Sequence, residues 1–96
     1  YGFPTQESVA KKLLANPSGS DALFSKDVED VDSLTGPIVT DSSAEVLGVD
    51  KSMSNSTVYV KATTDQGGEV QYKISMVRDL IGWKISNVEL YFPSQN

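Results

Sequence analysis

The sequence predicts an α+β domain: an N-terminal helix, with a short second helical segment, packed on a curved four-stranded antiparallel meander. Three observations predict it. Apolar residues recur at helical spacing near the start of the chain. From Ile38 onward the apolar period changes to two. The connections between the alternating runs are short, which makes neighbouring strands antiparallel. The 96 residues read as one domain, its helical part about 5–30 and its sheet about 38–92.

Pro4 and Thr5 open the first helix, over roughly residues 5–15. Thr5 is the expected N-cap, and Glu7 places a carboxylate in the first turn, where the helix dipole favours it. Val9, Ala10, Leu13 and Leu14 form one apolar stripe; Gln6, Glu7, Lys11 and Lys12 cover the rest. Pro17 stops the helix, because the residue before a proline avoids the helical region. Ser20 and Asp21 then resemble a second cap. Leu23, Phe24, Val28 and Val31 suggest a short helical turn over 21–30.

The strands follow. Residues 44–50 supply the first. Val58, Val60 and Ala62 alternate with Thr57, Tyr59 and Lys61 in the second. Val70, Tyr72, Ile74 and Met76 alternate with Glu69, Gln71, Lys73 and Ser75 in the third. A three-residue loop, Gln66-Gly67-Gly68, would set Ala62 against Tyr72, Val60 against Ile74 and Val58 against Met76; a five-residue loop satisfies parity equally. The last strand spans Trp83 to Phe92. Val88, Leu90 and Phe92 keep the inward parity, whereas Trp83 and Ile85 break it. Two readings follow. A bulge near Ser86-Asn87 turns Trp83 and Ile85 inward, or Val77, Trp83 and Ile85 form an apolar patch on the outer face that needs a cover.

Composition narrows the chemistry. There is no cysteine and no histidine. Disulfides, thiolate sites and imidazole-dependent triads are therefore excluded. The net charge of −5 disfavours contact with a phosphate backbone. No apolar run approaches the ~20 residues that span a bilayer. The chain begins at Tyr1, which suggests a fragment or processed part of a longer protein, with any membrane contact through an anchor outside it.

The run Met76-Val77-Arg78, then Gly82-Trp83-Lys84-Ile85 and Val88, resembles the last hairpin of nuclear-transport-factor-2-like domains, within the cystatin-like fold group. The likeness covers residues 40–92 at the level of pattern. The chain is shorter than most members and has one clear helix where they commonly have three. Short members of that group include extracytoplasmic modules of bacterial lipoproteins and secretion machines that pack against other proteins. The resemblance thus implies a non-enzymatic interaction or assembly domain of an anchored or secreted bacterial protein. It would act through a sheet face or edge, on a protein partner or on itself, without a cofactor.

Other chemistries have weaker footholds. An apolar-ligand or isomerase-like pocket would use Tyr72 and Met76, with Asp41 or Asp79 at its mouth. The plainer alternative is a core tyrosine and two turn-capping aspartates. Asp27, Glu29, Asp30 and Asp32 cluster in sequence but lack the glycine and distal glutamate of a calcium loop. Lys61 and Lys73 share the outer face, opposed in the three-residue register, and Lys84 adds a third strand lysine. A cystatin-like inhibitor needs Gln-x-Val-x-Gly; here Gln71 begins Gln-Tyr-Lys-Ile-Ser, and Gly2 and Trp83 match only loosely.

Overall fold

The computed structural model describes residues 5–93. Pro4 and Gly2 lie outside that span. The first helix, α1, is Gln6–Ala15. Thr5 caps it: its Oγ1 accepts from the Ser8 amide at 3.1 Å, and Ser8 Oγ donates to the Thr5 carbonyl at 2.9 Å. Val9, Ala10, Leu13 and Leu14 are buried, as the stripe predicts. Gln6 is buried too. It does not join the solvated face, because its amide donates to Ser56 Oγ at 3.3 Å and Ser56 donates on to the Asp50 carbonyl at 3.1 Å.

The second helical segment agrees with expectation only in its first turn, which follows Ser20; the α-helix comes later. Two 3₁₀ turns, Pro17–Gly19 and Asp21–Leu23, come first. The second helix, α2, is Val31–Thr35, capped by Asp30 through the Ser33 amide. Between them Phe24 bridges to Ile85 in parallel, and the Ser25 amide donates to the Ile85 carbonyl at 2.8 Å. Phe24 is buried where it lies along the sheet, so the apolar residues of 21–30 serve an edge-covering segment and not a helix face.

Four strands form one antiparallel sheet in chain order: β1 Glu45–Lys51, β2 Asn55–Thr63, β3 Glu69–Asp79 and β4 Gly82–Leu90. The domain is α+β, as predicted. The β2–β3 register corrects the three-residue loop. Ala62 faces Val70, Val60 faces Tyr72 and Val58 faces Ile74. The loop is residues 64–68, the five-residue case. Thr64 organises it: its amide donates to the Gly68 carbonyl at 2.8 Å and its Oγ1 accepts from the Gly68 amide at 2.9 Å. Gly67 takes φ +84°, where a side chain would be strained.

This register separates Lys61 from Lys73. Lys61 now faces Gln71 across β3 and lies 3.4 Å from Glu45 and 3.6 Å from Glu69. Those carboxylates, Glu69 first, raise the ammonium's pKa above the ordinary lysine value. The two-residue shift thus replaces a like-charge pair with opposite-charge neighbours.

The bulge reading of the last strand holds. Asn87 pairs with Ser75 and Ile85 with Met76, leaving Ser86 as the extra residue. Ser86 Oγ donates to the Ser75 carbonyl at 3.2 Å. Ile85 is fully buried and Trp83 packs against the core from the same face. Val77 pairs with Lys84 on the outer side. Val77, Trp83 and Ile85 therefore do not form one exposed patch. The extra residue flips the start of β4 inward, since strand side chains alternate with period two.

Candidate functional site

The inward face of the sheet is occupied by packing. Tyr72 and Met76 are each 1% exposed. Met76 lies opposite Ile85 and Ser56 within the core. The Tyr72 hydroxyl accepts from the Val39 amide at 2.8 Å and donates to the Pro37 carbonyl at 3.3 Å. It is committed to holding the 37–39 segment against the sheet. Beside it a shallow cleft of about 240 Å³ is lined by Leu34, Ile38, Val88 and Leu90 among others. The two carboxylates proposed for a pocket mouth are also committed. Asp41 accepts from the Ser43 and Thr63 amides, both at 2.8 Å. Those bonds, the Thr63 one first, hold its carboxyl below the usual aspartate range. Asp79 accepts from the Ile81 amide at 2.9 Å. Both cap turns.

The remaining sequence candidates are also accounted for. Among the described residues no three acidic groups gather as a cation would require, and Asp30 serves as the α2 cap. Lys84 donates to the Ala22 carbonyl at 3.0 Å and pins the second 3₁₀ turn to β4. Gln71 to Ser75 run through the middle of β3 and belong to no loop. An inhibitor that inserts hairpin loops has nothing to present there.

The unusual chemistry lies at one end of the sheet. The β1–β2 and β3–β4 turns emerge side by side, joined by the Arg78 amide donating to the Ser54 carbonyl at 2.9 Å. The first turn carries Met53, 92% exposed. The second carries Leu80, 97% exposed, and Ile81, 64% exposed. Two-residue hairpin turns ordinarily use Asn, Asp or Gly, because one or both positions need positive φ. Here neither Leu80 nor Ile81 has positive φ; the positive φ falls on Gly82 at 141°, and the Asp79 carboxylate closes the turn by accepting from the Ile81 amide. A pair of large, mostly exposed apolar side chains thus stands at the tip of the β3–β4 hairpin.

Clefts flank that point. On one side Leu80 borders a hollow of about 210 Å³ with Gln6, Arg78 and Trp83. On the other, Leu80 and Ile81 border a larger one of about 640 Å³ with Phe24, Lys26, Val77 and Lys84. The other exposed apolar groups are Leu47 and the run Leu90, Tyr91 and Phe92; β4 ends at Leu90, so Phe92 is 80% exposed past the strand and does not face inward as its parity predicts. Leu90 faces inward opposite Tyr72, while Tyr91 packs on Tyr59 across the outer face, ring centroids 5.0 Å apart. Leu47 is the bulged residue of β1.

The sequence reading missed Met53, Leu80 and Ile81. The signal was present as a mismatch: an apolar pair directly between Asp79 and Gly82, where turn chemistry calls for small or polar residues.

The chain matches no protein-family model, no curated protein and no solved structure. The likeness to nuclear-transport-factor-2-like domains therefore rests on the strand and hairpin pattern alone.

Proposed function

We propose that this chain is a non-catalytic interaction domain that binds a protein partner through the end of the sheet bearing Met53, Leu80 and Ile81. One observation carries the reading: three large apolar side chains stand 92%, 97% and 64% exposed on two adjacent turns. Burying such groups in a partner is favourable by roughly 1.5–3 kcal/mol for each one fully covered. Left in water they add little to this fold, and the turn that Leu80 and Ile81 occupy has no positive φ at either position, so smaller polar residues would fill it without backbone strain. Local rules broken without a gain in packing mark sites that serve something outside the domain. The inner face supports the same conclusion, since Tyr72, Asp41 and Asp79 are already engaged by backbone groups. The mode of contact differs from a sheet face or edge; it uses the hairpin end. An extracytoplasmic setting, in an anchored or secreted bacterial protein, is supported by the cysteine-free composition and the family resemblance.

The test is a photoreactive benzophenone side chain placed at Leu80 in the cell that makes the protein. Covalent adducts are expected on illumination. The same group at Asn87, exposed on the outer face, is the control. Equal labelling from both sites, or none from Leu80, rejects the reading.

A further inference from the structure

We infer that the partner at this end is a second copy of the chain, in a two-fold contact that seats Leu80 and Ile81 of each copy in the larger cleft of the other. The inference rests on the interaction reading above and names its occupant. Two features favour it. The first is that knob and hole are adjacent on one surface: Leu80 and Ile81 themselves form one wall of the cleft that Phe24, Val77 and Lys84 close. A two-fold axis beside the hairpin brings each knob to the other's hole, which is the self-complementary geometry of an isologous interface.

The second is charge. The chain carries −5 overall. The charged groups that line the larger cleft are balanced, Lys26 and Lys84 against Asp27 and Asp79. The entire net charge therefore sits on the rest of the molecule. Two copies meeting at the neutral end keep their acidic parts apart, so self-repulsion opposes this approach least. Lys84 and Asp79 already bond backbone groups, but Lys26 and Asp27 also line the cleft, so each sign has its opposite available in the other copy. An anionic lipid surface would call for a basic excess, which this end lacks. The contact is small beside a standard interface of ~800 Å² per partner, so the dimer is weak and depends on concentration.

The experiment is sedimentation velocity on the whole chain from roughly 10 μM to about 1 mM, the span of weak affinities. A monomer–dimer equilibrium is expected. Leu80→Asp with Ile81→Asp should weaken it at least about tenfold, as for a central apolar anchor, and Leu47→Asp on the far β1 bulge should not. Circular dichroism checks that each variant is folded. Because the chain has no cysteine, Leu80→Cys adds an independent readout. On mild oxidation it should give a disulfide-linked dimer, and Leu47→Cys should not. A monomer throughout the range, or a dimer that survives the double substitution, overturns the inference. If the protein is monomeric yet benzophenone at Leu80 labels a different protein, the second copy is wrong and the interaction site stands. If it is monomeric and nothing is labelled, both fail.

Discussion

The two ends of the sheet obey different rules. At the lower end, polar side chains bind backbone. Asp41 joins the Thr63 amide of β2 to the 41–43 turn, and its own amide donates to the Leu14 carbonyl at the end of α1. The Tyr72 hydroxyl holds Pro37 and Val39. Thr64, Gly67 and Gly68 close the β2–β3 loop with the residue types such a loop needs. At the upper end the turns carry methionine, leucine and isoleucine into solvent. The lower end is built to hold the fold. The upper end is held by Gly82, Asp79 and the ladder beneath it, which leaves Leu80 and Ile81 free for other use. Stabilising polar contacts and exposed apolar turns are thus segregated along one sheet, and substitutions at each end should report it.

The largest effect belongs to the residue that joins the two regimes. Ser86 is the bulge that turns Ile85 and Trp83 inward. Deleting it restores unbroken alternation and sends both side chains to the outer face. Ile85 alone is fully buried, and loss of such a residue from a core costs about 2–5 kcal/mol. With Trp83 added, a loss of about 4 kcal/mol or more is expected, comparable to the whole stability of a 96-residue domain. Urea unfolding followed by circular dichroism reads this directly. A deletion variant as stable as the parent would mean the bulge does not set which face is buried.

Much of this was legible beforehand, for physical reasons. The α1 stripe, its Thr5 cap and the alternation through β2 and β3 depend on local geometry and on burial of one face, and both are written in the order of residues. The parity break at Trp83 and Ile85 was legible as a choice between bulge and patch. The choice itself needed the third dimension, because only packing against α1 and Phe24 makes the inward turn favourable. The loop length was undetermined for the same reason: three and five residues give the same parity, and the Glu45–Lys61–Glu69 group that distinguishes them spans three strands. Residues 21–30 were legible only in part: the turn after Ser20 forms as Asp21–Leu23, but the rest is an edge-covering segment, which shows the same scattered apolar residues as a short helix. The candidate site was the least legible part. The resemblance directed attention to the strands and inner face, whereas the exposed groups lie in turns that strand periodicity treats as boundaries.

Intermediate effects belong to the lower end. Tyr72→Phe removes the hydroxyl that accepts from Val39 and donates to Pro37. It leaves a half-buried amide without that partner, and about 1–2 kcal/mol of stability should be lost. Hydrogen exchange should show the Val39 amide opening faster while Leu13 and Ile74 stay protected. If Val39 exchanges at the parental rate, the hydroxyl is not what holds this segment.

A smaller effect, visible only in acid, follows from Asp41. Its carboxyl titrates below the usual aspartate value in the folded protein because it accepts from Thr63 and Ser43. Folding therefore depresses its pKa, so the stability it contributes is fully present above the unfolded value of 3.8 and is lost as pH falls through the folded one. Asp41→Asn should flatten the acid limb of the stability curve in that window and leave its slope near neutral pH unchanged. Chemical denaturation at stepped pH measures it, and an acid limb identical to the parent's would remove Asp41 as a source of acid sensitivity.

The smallest expected change in stability is at the upper end, and it discriminates most sharply between the two regimes. Replacing Leu80 by Asn and Ile81 by Ser puts polar turn residues, neither of which needs positive φ, in place of the apolar pair. Leu80 is 97% exposed and Ile81 64%, so little buried apolar contact is lost. Exposed substitutions of this kind ordinarily stay within about 0.5 kcal/mol. Neither position has positive φ, so the backbone is unstrained before and after, and the urea midpoint should hold. Self-association and labelling at this end should fall together. Were the midpoint to drop by as much as in Tyr72→Phe, Leu80 and Ile81 would be supporting the fold as the lower end does. The contrast between the ends would then vanish, because an apolar turn that stabilises its own domain needs no partner to account for it.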